Sequence, residues 1–284
     1  MVKAVLLLPL INLKQTVNTA LPKTAMPIIE STLVITSALL NREVNCTLFV
    51  PEDATPQSLL LLNDGQEAEN LHLKNTLAYQ YERYGIDPLL VVAIHAGEER
   101  IQEYGVAGKP DFKQRGSKAD LYSQFIIQEL LPAVYQETGL QSFKTTAYAG
   151  FSLGGLSALD IAWHHANVFD KVGVFSGSFW WRSKDLAEGY TDNDRIAHQM
   201  INAGEEIPEL KFWLQTGTLD ETADRNKNGI IDSIDDTIDL IKVLETKGYT
   251  RPADIQYLEI VGGEHNAETW AKAMAKFLCW AFGS

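Results

Sequence analysis

Residues 145–163 read TTAYAGFSLGGLSALDIAW, a β-forming run, a glycine-rich turn and a helix-forming run in direct succession. The central GFSLG at 150–154 fits the pattern G-x-S-x-G, and one more glycine extends it. A serine on so sharp a strand-to-helix turn is held in strained backbone geometry that projects its hydroxyl, and the glycines leave room for the neighbouring strand and helix. We therefore identify Ser152 as a candidate nucleophile. The alternative is a glycine-rich helix start that carries no chemistry.

Strand-like and helix-like segments alternate on both sides of this turn, from about residue 58 to the end. The apolar run LLVVAI at 89–94 predicts a strand buried on both faces, and apolar residues at three- and four-residue steps predict a helix over 118–138. Alternation at this spacing predicts βαβ crossovers. The expected architecture is an α/β fold with a mostly parallel central sheet and helices on both faces.

The first two strand-like segments, 30–40 and 44–51, predict a hairpin-like pair at an antiparallel edge of this sheet. No internal repeat or Pro/Ser-rich linker divides the sequence, so we expect a single domain over residues 1–284. Residues 177–208, between two predicted strands, are long enough to form a small cap.

The charge balance argues against two classes of main partner. The chain has 284 residues, with 24 Lys and Arg against 37 Asp and Glu, which gives a formal net charge of −13. Nucleic acids and anionic membranes both bind basic surfaces, so neither is expected as a partner. Two cysteines, Cys46 and Cys279, are too few for a disulfide scaffold.

The sequence offers no segment that predicts a membrane span. No apolar run approaches the roughly 18–20 residues that such a span requires. The best candidate, residues 4–11, follows a single Lys3 and resembles a secretory signal only weakly, and no small-x-small cleavage site follows it. We therefore expect a cytoplasmic protein, with export as the alternative.

Ligands of open α/β sheets bind at the carboxyl ends of the strands, and two such ends carry acid–base side chains. His265 follows the predicted strand 255–261 and precedes the closing helix. Its imidazole can take the serine proton and return it to a leaving group. Asp220 lies just beyond the predicted strand 211–215, so Ser152, Asp220 and His265 have the chain order of a Ser-acid-His triad.

Alternatives to this acid and this base remain in the sequence. Glu221, directly after Asp220, is the runner-up acid, and a third reading is that both carboxylates only cap a turn. The other five histidines lie in helical, strand-end or polar stretches, where surface or packing roles are the default.

Acyl chemistry at a serine also requires two backbone N–H groups aimed at a developing oxyanion. The residue after the nucleophile, Leu153, supplies one of them in this pattern. The second is expected from the loop after an earlier strand, where the sequence reads LLLLNDGQ at 59–66. We favour the N–H of Gln66, because Gly65 before it lets the backbone approach the oxygen closely.

The segment after Asp220 has the spacing of a calcium-binding loop. It reads DRNKNGIIDSID at 224–235, with oxygen side chains at positions 1, 3, 5, 9 and 12 and glycine at position 6. This is an EF-hand-type pattern with Asp in place of the usual Glu at position 12. The expected ligands are the side chains of Asp224, Asn226, Asn228, Asp232 and Asp235 and the carbonyl of Ile230. We expect a structural Ca²⁺ that fixes the segment holding the acid; the alternative is an Asn-Gly turn before an N-cap.

These residues together resemble the putative-esterase family of α/β-hydrolases, and within it the enterochelin-esterase-like branch. The resemblance covers roughly residue 30 to the end. It implies an α/β-hydrolase fold, ester hydrolysis and a substrate-binding role for Arg100. The matching pieces are LLLLNDGQ (59–66), Arg100 with Glu103-Tyr104, residues 125–132, AGFSLGG (149–155), FSGSFWW (175–181) and GGEH (262–265) with Trp270.

The aromatic pair Trp180-Trp181 follows the strand after the nucleophile helix, and so falls at the same edge of the predicted sheet. Aromatic faces suit flat or apolar ligands, which makes the pair a candidate wall for an acyl group or a sugar. Core packing is the alternative.

These features predict a serine carboxylic-ester hydrolase that acts through an acyl-serine intermediate on a small-molecule ester, with no cofactor for catalysis. An acyltransferase would use the same three side chains, with a sugar or another alcohol in place of water. A non-catalytic, calcium-stabilised binding protein is the third hypothesis, which an intact Ser, acid and His disfavour.

Overall fold

The computed structural model describes residues 26–283, and within this range eight strands form one sheet. In chain order the strands are β1 (Ile28–Ser37), β2 (Arg42–Pro51), β3 (Ser58–Asn63), β4 (Leu89–Ile94), β5 (Thr145–Phe151), β6 (Lys171–Phe175), β7 (Lys211–Leu219) and β8 (Ile255–Glu264). Across the sheet their order is β1-β2-β4-β3-β5-β6-β7-β8. β2 pairs antiparallel with β1 and β4, and the remaining pairs are parallel. The predicted α/β-hydrolase architecture with an antiparallel edge is confirmed.

Helices connect most of the parallel strands. They are α1 (Leu73–Tyr84), α2 (Arg100–Glu103), α3 (Ala119–Phe125), α4 (Leu131–Thr138), α5 (Leu153–His164), α6 (Ile196–Ala203), α7 (Asp232–Thr246) and α8 (Ala267–Phe282). Within the described part of the chain, none of them combines the length and apolarity that crossing a membrane would require. The apolar run at 4–11 lies outside the described residues, and the cytoplasmic location stays a prediction.

The single helix predicted over 118–138 is wrong in one respect, because a π-helical turn, Ile126–Leu130, interrupts it between α3 and α4. Pro132 stands in the first turn of α4. Proline has no N–H to donate to the preceding turn, and a local change of helical pitch accommodates that missing bond.

Alternating side chains of the central strands enter two separate cores. Leu59 and Leu61 of β3 pack on the face that α3 to α7 cover, whereas Leu60 and Leu62 pack on the face of α1 and α8. All four are fully buried, and each contributes about 1.5–3 kcal/mol by leaving water. This double burial makes the sheet centre a rigid base for the loops at its carboxyl edge.

The segment predicted as a cap contains short 3₁₀ turns at Leu186–Glu188 and Asp192–Asp194 and ends with α6. Its Phe179, Trp181 and Ile196 side chains belong to the main core on the α3–α7 face. A capping role for 177–208 stays a prediction.

Candidate active site

Ser152 lies between β5 and α5 with φ 53° and ψ −121°, a conformation that non-glycine residues rarely adopt. Its N–H donates to the carbonyl of Phe175 on the neighbouring strand at 2.8 Å, which holds the turn against the sheet. A Cβ on Gly150 would stand 2.3 Å from the carbonyl oxygen of Gly154, so the strand and the helix start can approach only where glycine stands. The structure places the serine in the strand–turn–helix setting that the sequence predicts.

The second and third side chains of the predicted triad approach each other at the ends of β7 and β8. His265 Nδ1 lies 3.9 Å from Asp220 Oδ1, longer than a hydrogen bond. Asp220 also accepts hydrogen bonds from the Gly217 N–H at 2.8 Å and from Ser176 Oγ at 3.0 Å. The runner-up Glu221 lies instead near the backbone of Ser233. The geometry therefore pairs the histidine with Asp220.

Burial shifts the pKa values of Asp220 and His265 in opposite directions. The Asp220 side chain is fully buried, and this desolvation raises the pKa of its carboxyl, although hydrogen bonds from Gly217 and Ser176 and the charge of His265 oppose the rise. Burial also lowers the pKa of His265; the Asp220 charge opposes that shift and the Arg100 cation adds to it. The neutral imidazole is thus favoured, as a general base requires.

Ser152 and His265 line one cleft of about 300 Å³ at the carboxyl edge of the sheet. The Ser152 hydroxyl lies 3.3 Å from Ser178 Oγ. Larger surface grooves exist, such as one of about 560 Å³ beside Arg195, but that groove does not include the triad residues. The small cleft is lined by Asp64, Gln66, Glu67, Arg100, Phe151, Ser152, His265 and Trp270.

Of the two predicted oxyanion donors, Gln66 lines this cleft and Leu153 directly follows the lining residue Ser152. Leu153 is the first residue of α5, so its N–H has no intrahelical acceptor. Gln66 lies in a 3₁₀ turn, Gly65–Glu67, and lines the cleft. A Cβ on Gly65 would stand 2.3 Å from the carbonyl carbon of Ala93, so this loop can sit against β4 only with glycine there.

Arg100 reaches the cleft as predicted, but it is held by a partner that the sequence reasoning missed. Its Nε and Nη2 donate to the two carboxylate oxygens of Asp64 at 2.6 and 2.7 Å. Its guanidinium also stands 4.9 Å from the centre of the Tyr104 ring. Asp64 adopts a left-handed conformation, φ 59°, directly before the 3₁₀ turn Gly65–Glu67 that contains Gln66. The loop sequence LLLLNDGQ includes this residue, but it does not indicate the pairing with Arg100.

The tryptophan pair does not reach the cleft. Trp181 is fully buried, and its Nε1 donates to the carbonyl of Lys109 at 3.4 Å. Trp180 is partly buried and lies beneath Arg115, whose guanidinium carbon stands 5.1 Å from its ring centre. The alternative of core packing therefore describes Trp181, since a fully buried ring offers no face to a ligand.

Four of the predicted calcium ligands converge where the loop after β7 meets the first turn of α7. Asp235 Oδ2 accepts from the side-chain amides of Asn226 and Asn228 at 2.9 and 2.7 Å. Asp224 accepts from the backbone N–H groups of Asn228 and Gly229 at 3.1 and 2.9 Å.

Of the two remaining predicted ligands, Asp232 already has a partner in Arg225. Asp232 is the first residue of α7, and its Oδ1 accepts a hydrogen bond from the backbone N–H of Arg225 at 2.9 Å. Ile230 is 43% exposed. In residues 26–283, no group of three or more His, Cys, Asp or Glu side chains lies close enough together to hold a metal ion. A cation here would depend on the two asparagine oxygens.

Two site residues had no role assigned from the sequence. Ser176 follows β6 with φ 47°, and its Oγ contacts the acid. Trp270, in α8, donates from Nε1 to Ser176 Oγ at 3.0 Å. Both belong to pieces that carried the resemblance, and a search for polar groups at every strand end would have included Ser176.

A family model described as putative esterase matches residues 37–281. Comparison with functionally curated proteins gives no significant match. The sequence likeness to known proteins therefore rests on the family model.

Solved structures share the fold. Enterobactin esterase from Shigella flexneri, in the presence of enterobactin, matches with a TM-score of 0.68 and 22% identity over 91% of this chain and 59% of that chain. A ferulic acid esterase matches with a TM-score of 0.67 and 18% identity over 90% and 98%. A siderophore hydrolase from Aspergillus nidulans matches with a TM-score of 0.64 and 17% identity over 90% and 95%. The chain thus spans 59% of the length of the Shigella esterase.

Proposed function

This chain belongs to the putative esterase family, and we propose that it is a serine carboxylic-ester hydrolase acting through an acyl-serine intermediate. One observation carries the proposal. A serine in a strained strand-to-helix turn shares a cleft with a histidine whose Nδ1 faces a buried carboxylate. That arrangement supplies a nucleophile, a base and an orienting acid.

The first half of the reaction forms the acyl-enzyme. His265 takes the proton of Ser152 Oγ while Oγ bonds to the ester carbonyl carbon. The N–H groups of Leu153 and Gln66 donate to the resulting oxyanion. His265 then gives its proton to the leaving alcohol oxygen as the C–O bond breaks. The second half repeats these steps with water, which releases the acid and restores the serine.

The buried carboxylate supports this cycle without exchanging protons. Asp220 favours the tautomer in which His265 carries hydrogen on Nδ1, so Nε2 is free to accept the serine proton. It also stabilises the imidazolium that forms. The 3.9 Å separation must shorten for this contact, and such distances tighten when substrate binds.

Hydrolysis of short p-nitrophenyl esters, with and without a serine-reactive phosphonate, tests the proposal. We expect turnover that the phosphonate abolishes and a single phosphonylated peptide that contains Ser152. Absence of both turnover and labelling would favour the non-catalytic binding protein. Adding an alcohol or sugar and measuring the new ester by mass spectrometry separates an acyltransferase from a hydrolase.

The substrate is a small ester whose acyl and alcohol parts require a panel to identify. Two of the proteins with this fold are named for siderophores or enterobactin and one for ferulic acid. We propose siderophore and feruloyl esters as the first arms of that panel, with acetyl-sugar and glutathione thioesters beside them.

The acid limb of the pH profile is expected below pH 6.5. The base must be neutral, and burial together with the Arg100 cation lowers the pKa of His265. Lowering this pKa keeps the active form present further into acid, so kcat/KM should rise with pH and level off by neutrality. Initial rates between pH 4 and 8 give the midpoint; a midpoint well above 6.5 contradicts the favoured neutral imidazole.

We further propose that the loop 224–235 binds a structural Ca²⁺. The support is the convergence of Asp224, Asn226, Asn228 and Asp235 around one point of the loop. The amide oxygens of Asn226 and Asn228 accept from the backbone N–H groups of Asn228 and Ile230. A half-turn of each amide would exchange these bonds for oxygens that face Asp235 and the ion. Calcium accepts such mixed oxygen ligands.

Removing calcium is expected to lower the melting temperature, and adding it back should restore the original value. An ion that binds only the folded loop stabilises it by about 2.7 kcal/mol at a hundredfold excess over Kd. Differential scanning calorimetry with a chelator measures the change. Mg²⁺ should substitute poorly, because it demands stricter octahedral geometry.

Two variants make this test specific. Asp224→Ala should melt like the chelated protein and no longer respond to Ca²⁺. Asp53→Ala removes one exposed carboxylate that is far in sequence from the loop 224–235, and it should keep the full response of the melting temperature to Ca²⁺. An unchanged melting curve after chelation, with no metal found by elemental analysis, would leave only the hydrogen-bonded turn.

A further inference from the structure

We infer that Ser176 and Trp270 are positioning residues that hold the acid of the triad through a buried hydrogen-bond chain. The inference rests on the proposed function, since it assigns a role to side chains behind Asp220. Three different elements contribute: the end of β6, the segment after β7 and the first turn of α8.

The chain runs from the indole to the carboxylate in two bonds of equal length. Trp270 Nε1 lies 3.0 Å from Ser176 Oγ, and Ser176 Oγ lies 3.0 Å from Asp220 Oδ1. Ser176 is 2% exposed and the Asp220 side chain fully buried. Water therefore has little access to these atoms, and the protein itself must satisfy them.

The chemistry of the three groups fixes the direction of every hydrogen. An indole N–H can only donate, so Ser176 Oγ accepts from Trp270. The single hydroxyl hydrogen is then left for Asp220, which as a carboxylate can only accept. With Gly217 N–H on Oδ2, the carboxylate has donors on both oxygens and one free direction on Oδ1 toward His265.

Trp270 also contacts the base directly. Its ring lies edge-on to the His265 ring, with centres 5.2 Å apart, and stacks on Phe151 at 5.0 Å. One side chain therefore fixes the imidazole by packing and the carboxylate through Ser176. Ser176 has a left-handed backbone, φ 47°, which glycine would adopt at less cost. Serine is required there because glycine has no hydroxyl to link Trp270 to Asp220.

Replacing Ser176 by glycine is the sharpest test, because glycine suits the positive φ and removes the side chain that carries the hydroxyl. We expect kcat to fall on the order of 10- to 100-fold with KM unchanged. Without the Ser176 donor, the Asp220–His265 pair binds its proton more readily. The acid limb of kcat/KM should therefore move upward by about one pH unit.

Trp270→Phe keeps an aromatic ring against His265 and Phe151 but deletes the N–H. Without the indole N–H, the direction of the Ser176 hydroxyl is no longer fixed, so we expect a smaller fall in kcat, about three- to tenfold. The acid limb of kcat/KM should again move upward. Three other titratable groups lie near the pair: Arg100, whose charge acts on His265, and Glu221 and Tyr257, which the charge of Asp220 reaches. Both variants retain all three.

Ser157→Ala is the matched control. Ser157 is also 2% exposed and hydrogen-bonded, to Gly105, but it lies within α5 and away from the acid. It should lose some thermal stability and keep the pH profile of the parent. Should Ser176→Gly and Trp270→Phe lose activity without moving the acid limb, or should Ser157→Ala move it equally, the positioning role is overturned.

Phosphonate labelling distinguishes failure of the proposed function from failure of the positioning role alone. If the parent protein neither reacts with the phosphonate nor hydrolyses p-nitrophenyl esters, the proposed function fails. If the parent reacts and the Ser176 variant keeps the parent's rate and pH profile, only the positioning role fails.

Discussion

Ser152→Ala is expected to lower kcat on p-nitrophenyl esters by on the order of 10⁶-fold, because the three triad side chains act as one unit. The substitution removes Oγ, the atom that would bond to the ester carbonyl carbon. The variant should fold normally, since Ser152 contributes its hydroxyl to the cleft rather than to a core. Steady-state rates, circular dichroism and the melting temperature measure these outcomes.

The control for this variant is a serine on the helix that follows. Ser157→Ala, one turn further along α5, removes a buried hydroxyl of the same size and should retain turnover within a few-fold. Near-normal turnover by a folded Ser152→Ala protein would show that the strained turn is only structural. Loss of phosphonate labelling in that variant alone would identify the nucleophile.

The sequence predicted the features that depend on local order along the chain. GFSLG requires glycine on both sides of the serine because strand and helix approach closely there, as the 2.3 Å approach between a Cβ on Gly150 and Gly154 O shows. The run LLVVAI predicted β4 with the bounds that the structure gives, Leu89–Ile94, because a strand buried on both faces has no polar positions.

Features that depend on packing between distant elements could not be read in the same way. Trp181 is buried because Gly105 and Gly116, from another loop, leave space for its ring; a Cβ on either would approach it to 3.0 or 2.9 Å. The pairing of Arg100 with Asp64 likewise joins residues 36 positions apart. No local pattern carries such information.

The acid of the predicted triad has one competitor in the sequence, Glu221, and substitution at both positions distinguishes them. Asp220→Asn is expected to lose about 10⁴-fold in kcat, roughly 5.5 kcal/mol, because an amide donates toward Nδ1 and favours the wrong tautomer of His265. Geometry need not change for this loss. The buried site makes it larger, because no water can replace the missing acceptor.

Glu221→Gln is the matched control, since it makes the same chemical change at the next residue. Its carboxyl lies near the backbone of Ser233, whereas His265 faces Asp220, so neutralising Glu221 should alter kcat no more than a few-fold. Burial raises the pKa of both carboxyls, which means that burial alone does not identify the acid. The direction of the side chain does. If Glu221→Gln were crippled and Asp220→Asn were active, the acid would be the neighbouring residue, and the hydrogen-bond chain from Trp270 through Ser176 would serve only to stabilise the turn after β7.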